Sequence, residues 1–265
     1  MSFLIALLAL GLVSGFIAGL LGVGGGLVMV PMLVMLFAQQ GFDPSWQMHL
    51  ALGTSLAVIV LTSMSSLRAH HAHGAVRWDT VRRIAPGIVL GTLLGAFAAR
   101  YLSDFGLRLF FVAFLFYAAT QMWLEYKPKP HRELPGWPGM TAVGAVIGAV
   151  SAWVGIGGGT LSVPFQRWCN VDLHQAIGTS AAIGFPIAVT GAAGYALAGQ
   201  GAPGLPSWSV GFIYIPALAG IAGASWLTAP LGARLAHRLP VRNLKRIFAL
   251  LLYAMGLRMA WSLWA

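Results

Sequence analysis

The sequence is short of charge and of cysteine. Only 8% of its 265 residues are Asp, Glu, Lys or Arg, whereas a soluble domain carries about 25%. The one cysteine, Cys169, excludes an internal disulfide. In contrast, 58% of the residues are hydrophobic, and the mean hydropathy is +0.80. So little charge in so apolar a chain predicts an integral membrane protein and excludes an ordinary soluble domain.

Residues that do chemistry are scarce as well. The apolar runs contain no paired carboxylates and no activated nucleophile, so we do not expect an enzyme. An ATP-binding motif is missing, and the GxGxxG pattern of dinucleotide-binding loops fails at Leu27. His70, His71 and His73 have a spacing that could bind a metal. Only Asp79 lies near them, so we favour a solvated cytoplasmic loop and expect no metal and no cofactor.

The net charge of +10 raises the question of a nucleic-acid partner. The basic residues lie in short stretches between apolar runs, where they serve to orient a protein in a membrane. We therefore expect the lipid bilayer as a partner and no nucleic acid.

Long apolar runs make up most of the chain. Two shorter runs, 25–38 and 158–168, follow glycine-rich stretches. The runs do not alternate in polarity, so we predict an all-α, polytopic membrane fold rather than a barrel. No basic region precedes the first run, which we take as the first helix and not as a signal peptide. The runs long enough to cross about 30 Å of hydrocarbon are 3–21, 49–67, 84–103, 106–124, 138–156, 174–197, 208–229 and 244–264.

The chain contains an internal repeat. HLALGTS at 49–55 returns as HQAIGTS at 174–180. We predict a first transmembrane repeat over 1–124, a cytoplasmic linker over 125–137 and a second transmembrane repeat over 138–265. Because five segments per repeat is an odd number, the two repeats are predicted to have inverted topology. The glycine-rich pattern also occurs twice: Gly22, Gly24–Gly26 and Pro31 correspond to Gly155, Gly157–Gly159 and Pro164.

The charges between the runs agree with inverted repeats. Residues 68–83 carry four arginines, whereas the equivalent 197–209 carries no charge. The next pair reverses, since 231–246 carries five basic residues and 100–108 carries two. We place 68–83, the linker, 165–173 and 231–246 in the cytoplasm. Thirteen of the sixteen lysines and arginines then lie on the cytoplasmic side of the membrane. Both termini are then predicted to lie outside.

Three successive glycines predict an open turn, because each glycine inside a helix costs about 1 kcal/mol relative to alanine. The segment after each turn begins with unpaired N–H groups, which attract an oxyanion. Hydroxyls at the same place in each repeat add donors, although they could instead bond carbonyls of their own helix. The candidate substrate-binding residues are Gly24, Gly25, Gly26, Thr54, Ser55, Gly157, Gly158, Gly159, Thr160, Thr179 and Ser180.

Other repeated small residues and histidines have simpler interpretations beside a functional one. Gly11, Gly15 and Gly19 stand at four-residue spacing, which is typical of close helix packing in membranes. His49 and His174 occupy the same place in the two repeats, so they are possible proton-coupling residues. A position at the membrane interface, capping a helix, is the alternative for both histidines.

The paired motifs resemble the sulfite exporter TauE/SafE family, also called the toluene sulfonate uptake permease family. The resemblance covers nearly the whole chain, and Ser151 and Ala152 replace Ala18 and Gly19 of the first copy. The segments that carry it are GFIAGLLGVGGGLVMVP (15–31), ALGTSLAV (51–58), GAVRW (74–78), GAVIGAVSAWVGIGGGTLSVP (144–164) and AIGTSAA (176–182).

This resemblance implies a multi-pass permease of the cytoplasmic (inner) membrane that moves sulfite, organosulfonates or related small sulfur-containing anions. The expected mechanism is secondary transport by alternating access between the two repeats. A gated anion channel with the same dipole-lined site is the alternative. The direction of transport, the coupling ion, the exact substrate and the oligomeric state stay open.

Overall fold

The computed structural model describes residues 2–21, 25–124, 133–236 and 241–263. Within these residues the chain forms ten α-helices and one short β-hairpin, which agrees with the predicted all-α class. The helices are α1 (Ser2–Leu21), α2 (Gly26–Gln39), α3 (Gln47–Ala72), α4 (Trp78–Ala99), α5 (Asp104–Leu124), α6 (Trp137–Val154), α7 (Gly159–Trp168), α8 (Leu173–Ala198), α9 (Ile215–Ala236) and α10 (Val241–Trp261). The strands are β1 (Ser209–Val210) and β2 (Ile213–Tyr214).

Six of the described helices are long and apolar enough to cross a membrane, namely α3, α4, α5, α6, α8 and a stretch of α9 over Ile215–Gly232. Parts of α1 and all of α2 are shorter apolar helices. Large apolar side chains such as Leu94, Val146 and Leu227 are exposed on the outer faces, where lipid satisfies them. The protein is therefore a multi-pass integral membrane protein.

The α3 and α8 helices are the most buried of the six. They pack against each other, and Leu52, Leu56 and Ile183 are fully buried. Around this pair, α1 packs on α9, α4 packs on α6, and α5 packs on α10. The first and fourth helices of each half thus pair with helices of the other half.

Glycines allow the closest of these helix contacts. A side chain at Gly15 would overlap the main chain of Ser225 on α9. A side chain at Gly148 would lie 2.6 Å from the carbonyl oxygen of Ile88 on α4. Ser225 Oγ and Thr228 Oγ1 also donate to main-chain carbonyls of α1, at 3.0 and 2.8 Å. The packing role predicted for the glycines of α1 is therefore confirmed at Gly11 and Gly15.

The second glycine-rich stretch breaks the helix, as its composition predicts. The α6 helix ends at Val154, and Gly155 has a φ of 65°, a left-handed conformation that favours glycine. The chain becomes helical again at Gly159. In the first copy α1 ends at Leu21 and α2 begins at Gly26. Gly22 and Gly24 lie outside the described residues.

Two local expectations are wrong. The apolar run 208–229 does not begin as a helix, because its first residues form the β1–β2 hairpin, whose Gly211 (φ 54°) packs on the main chain of Ala196. The helix α9 starts after this hairpin. The stretch with three histidines is also not a loop throughout, since α3 continues to Ala72 and includes His70 and His71.

Candidate functional site

The second glycine turn contacts the first half of the chain directly. A side chain on Gly26, at the start of α2, would overlap the carbonyl oxygen of Gly155. The same carbonyl oxygen accepts a hydrogen bond of 2.9 Å from Ser55 Oγ of α3. Only a residue without a side chain fits at position 26. The two glycine-rich motifs, far apart in sequence, therefore meet at one place in the molecule.

At the second turn, a run of main-chain amides has no acceptor among the described residues. The amide of Ile156 donates to Ser151 O at 3.3 Å, and the first amide inside α7 to find an acceptor is that of Ser162, which donates to Gly158 O at 2.9 Å. In between, the described part of the chain offers no acceptor to the amides of residues 157–161. Gly157 and Gly158 are buried, so bulk water does not replace the missing acceptors there. Such a run of N–H groups at the start of a helix can bind an anion.

A side chain of the same helix end is unpaired as well. Thr160 is 6% exposed, and its hydroxyl has no hydrogen-bond partner among the described residues. Ser151 Oγ, in the last turn of α6, is fully buried and likewise has no hydrogen-bond partner among the described residues. Buried hydroxyls in native proteins are normally satisfied, so these two mark a place where a further polar group fits.

The helix α7 has a polar face against α8. Ser162 Oγ lies 2.6 Å from both Gly158 O and Ser180 Oγ. Gln166 Nε2 donates to Ser180 Oγ at 3.0 Å and to Ser162 O at 3.2 Å. Of these three residues, only Ser180 is predicted from the sequence as a site residue, whereas Ser162 and Gln166 are not. The signal was present, because two polar residues interrupt a short apolar run.

The two predicted threonines bind connecting segments of the opposite half. Thr54 Oγ1 accepts from the main-chain N–H of Tyr214, and Thr179 Oγ1 accepts from that of Arg77, each at 3.0 Å. Neither bond is to a carbonyl of the threonine's own helix. Each hydroxyl also keeps its own hydrogen, which remains available to an acceptor.

The two predicted histidines have different surroundings. His49 is fully buried; its Nε2 lies 2.8 Å from Ala99 O and donates to it, and its Nδ1 has no partner among the described residues. His174 is exposed at the start of α8, where its main-chain N–H donates to Asp172. This hydrogen bond holds the pKa of the Asp172 carboxyl below its usual range. The surroundings of His49 and His174 therefore differ, although the two histidines occupy the same place in the sequence repeat.

The charged residues of the described part of the chain lie at least partly exposed. Among the residues whose burial is described, no Lys, Arg, Asp or Glu is buried. Arg258 is exposed in the last turn of α10. Arg108 is half-buried but forms an ion pair with Asp104 and donates to Gln47 Oε1 at 2.8 Å. Among the residues whose burial is described, an anion at the turns would therefore meet N–H and O–H donors and no buried basic side chain.

Comparisons with known proteins agree with this picture. A family model described as sulfite exporter TauE/SafE matches residues 7–259. A probable membrane transporter protein of Haemophilus influenzae is 38% identical over 260 residues, which cover 97% of this chain and 98% of the relative. The probable membrane transporter protein YunE of Bacillus subtilis is 27% identical, covering 99% of this chain and 98% of the relative. No solved structure matches the chain.

Proposed function

The chain belongs to the sulfite exporter TauE/SafE family of membrane transporters, and from this premise we propose that it moves small sulfur-containing anions, such as sulfite or organosulfonates, across the inner membrane. The observation that carries the proposal is the run of amides at residues 157–161, beside the unpaired hydroxyl of Thr160. Hydrogen bonds to a charged group contribute about 1.5–3 kcal/mol each, so a few such donors offset much of the anion's desolvation.

The proposed binding residues lie on both sides of the meeting glycine turns. Gly26, Ser55 and Gly155 join the turns, and Thr160 and Ser180 add hydroxyls from the second half. Gly25 closes the start of α2, where its carbonyl accepts from Met29 at 2.9 Å. Gly24 belongs to the proposal but lies outside the described residues. The other members of the proposed site are Thr54, Gly157, Gly158, Gly159 and Thr179.

We further propose that the two halves, 1–124 and 138–265, are inverted repeats joined by the cytoplasmic linker 125–137, of which 125–132 lie outside the described residues. Matched contacts support this arrangement. Thr54 binds the main chain before α9, and Thr179 binds the main chain before α4. The pairing of α1 with α9 likewise corresponds to the pairing of α6 with α4. Alternating access then consists of exchanging the conformations of the two halves.

Cysteine labelling tests the inverted topology. His73 and Gln200 are exposed at the ends of α3 and α8 and have ordinary backbone angles, unlike the neighbouring Gly74 and Gly201. In a Cys169→Ser background, His73→Cys should react only from the cytoplasmic side and Gln200→Cys only from the outside. Labelling of both cysteines from one side would disprove inverted repeats and the outside location of both termini.

Flux in proteoliposomes tests the substrate and the site. A Cβ at Gly157 would make only ordinary contacts, the nearest at 3.7 Å from Ile59, so Gly157→Ala should fold and still crowd the approach to the amides. We expect sulfite or sulfonate flux to fall at least about tenfold, corresponding to the loss of one charge-assisted hydrogen bond. The control Arg258→Gln should leave flux unchanged. Loss of flux confined to the Arg258 variant would mean that a fixed cation binds the substrate.

The same vesicles distinguish a secondary transporter from a gated anion channel. A transporter coupled to protons accumulates the anion against its gradient when a pH difference is imposed, whereas a channel only equilibrates it.

Thermal-shift measurements with sulfite, sulfate, thiosulfate, sulfoacetate and taurine identify the preferred substrate, because a ligand that binds the folded state raises Tm.

A further inference from the structure

The side-chain amide of Gln166 is fixed in one orientation. Gln166 is fully buried on α7, and its Nε2 donates to two main-chain carbonyls, Ser162 O at 3.2 Å and Ala176 O at 3.4 Å. Carbonyl oxygens only accept, so a flipped amide would set oxygen against oxygen. The amide oxygen Oε1 therefore faces the other way, and it has no partner among the described residues. The side chain presents one unused acceptor.

A chain of polar contacts joins this amide to the glycine turn. Gln166 Nε2 contacts Ser180 Oγ, which lies 2.6 Å from Ser162 Oγ, which in turn lies 2.6 Å from Gly158 O. These contacts connect the side-chain amide to Gly158, a residue of the second glycine turn. Gln166 lies six positions after Thr160, roughly 9 Å along the helix axis.

The opposite face of α7 has room to move. A groove of about 730 Å³ separates α7 from α5. Its lining on α7 is apolar, and Gln121 contributes a polar side chain from α5. We infer that movement of α7 into this groove would uncover the seam with α8. The α7 residues that line the groove are Leu161, Pro164, Phe165 and Trp168.

Building on the proposed function, we propose that Gln166 is the specificity residue of the anion site and that it accepts a hydrogen bond from an O–H or N–H group of the substrate. The oxygens of a sulfonate only accept, so an anion without a donor group meets Oε1 as a repulsive neighbour. The preferred substrates are then small sulfonates with a hydroxyl or ammonium group, or hydrogensulfite. A two-carbon sulfonate with a terminal donor can reach Gln166 while its sulfonate lies on the amides of the turn.

A matched pair of ligands tests this inference. Binding of 2-hydroxyethanesulfonate and of ethanesulfonate to the purified full-length protein is measured by calorimetry. The wild type should prefer the hydroxylated ligand, and Gln166→Met should reduce this preference by about tenfold, the effect of one lost hydrogen bond. Gln121→Leu makes a comparable change across the groove and should leave the preference intact.

The outcomes separate this inference from the proposed function. Equal weakening of both ligands in Gln166→Met, or an unchanged preference, overturns the role of Gln166, because a structural residue would not discriminate between the two. If the wild type binds no sulfur-containing anion, the proposed function itself fails.

Filling the groove with Gln121→Trp should slow transport, whereas Gln121→Leu should not. Equal rates in these two variants would overturn the movement of α7.

Discussion

The helices α2 and α7 follow the two copies of the same glycine motif, yet they differ in chemistry and in packing. The buried residues of α2 are apolar from Leu27 to Phe37, whereas those of α7 are Thr160, Ser162 and Gln166. In the repeat alignment Leu27, Met29 and Leu33 occupy the places of these three polar residues. The repeat thus duplicates the break in the backbone, while the polar side chains belong to one copy.

The same two helices differ in their neighbours. The described part of α2 packs against α3 and α10, and its central residues are almost all buried. The α7 helix packs on α8 and leaves an open groove towards α5. The comparison teaches that α2 serves as a fixed support and that α7 carries the polar contacts. Five substitutions test this contrast and the equivalence of the two halves.

The largest effect is expected for Gly26→Val. The new side chain would overlap the carbonyl oxygen of Gly155 and force the two turns apart, at a cost of about 3 kcal/mol. We expect a strong fall in Tm together with loss of flux. The control is Gly223→Val on α9, where nothing lies within 4 Å of an added side chain. A normal Tm for Gly26→Val would show that the turns do not need their close contact.

Thr54→Val and Thr179→Val should have similar, smaller effects on stability. Each leaves one main-chain N–H without its acceptor, that of Tyr214 or that of Arg77, which costs about 1–3 kcal/mol. The two Thr→Ser variants keep the hydroxyl and serve as controls. If only one of the two valine variants lowers Tm in thermal unfolding, the equivalence of the two halves at this contact is disproved.

Thr160→Val should separate binding from stability. Its buried hydroxyl has no partner among the described residues, so the isosteric change should leave Tm equal or slightly higher. Anion affinity, measured by calorimetry, should fall by up to about tenfold because one donor is lost. The matched change in α2, Leu27→Val, removes no donor and should not alter affinity. Unchanged affinity in Thr160→Val would remove this hydroxyl from the site.

The smallest effect is expected for Asp172→Ala at the exposed start of α8. The main-chain N–H of His174 holds the pKa of this carboxyl low, so the ionised form stabilises the fold. The contribution is complete above the unfolded-state pKa and is lost as the pH falls through the folded-state pKa. The Tm difference from wild type should therefore appear at neutral pH and disappear in acid. A difference that persists in acid would mean that the carboxylate charge is not its source.

Much of the helical framework follows from the sequence, because long apolar runs and successive glycines act locally. Apolar length predicts helices such as α5, and the glycines predict the break between Val154 and Gly159. The contacts of the site depend on distant elements and were not predictable in detail. Thr54, for example, binds a residue 160 positions away. The hairpin before α9 could not be predicted from composition either, because a short apolar strand and a short apolar helix have the same composition.

The histidines show why symmetry in sequence is a weak guide to environment. His49 and His174 occupy equivalent places, but Trp46 and Phe212 enclose only the first of them. In the register that aligns the two histidines, Val171 occupies the place of Trp46. The asymmetry of Ser162 and Gln166 was visible in the sequence, but only the fold assigns these residues to the α7–α8 seam.

The packing of helices of one half on helices of the other half has a consequence for biosynthesis. The face of α1 around Gly11 packs against Ser225 of α9, which lies 214 residues later in the chain. This contact cannot form until α9 has been synthesised. At roughly 5–20 residues per second, that delay is roughly 10–40 s of translation. During this time α1 sits in the membrane with its glycine face covered by lipid or by the insertion machinery. The helix is thus a nascent segment whose partner has not yet been made, and ribosome stalling before α9 should leave it open to degradation by membrane proteases.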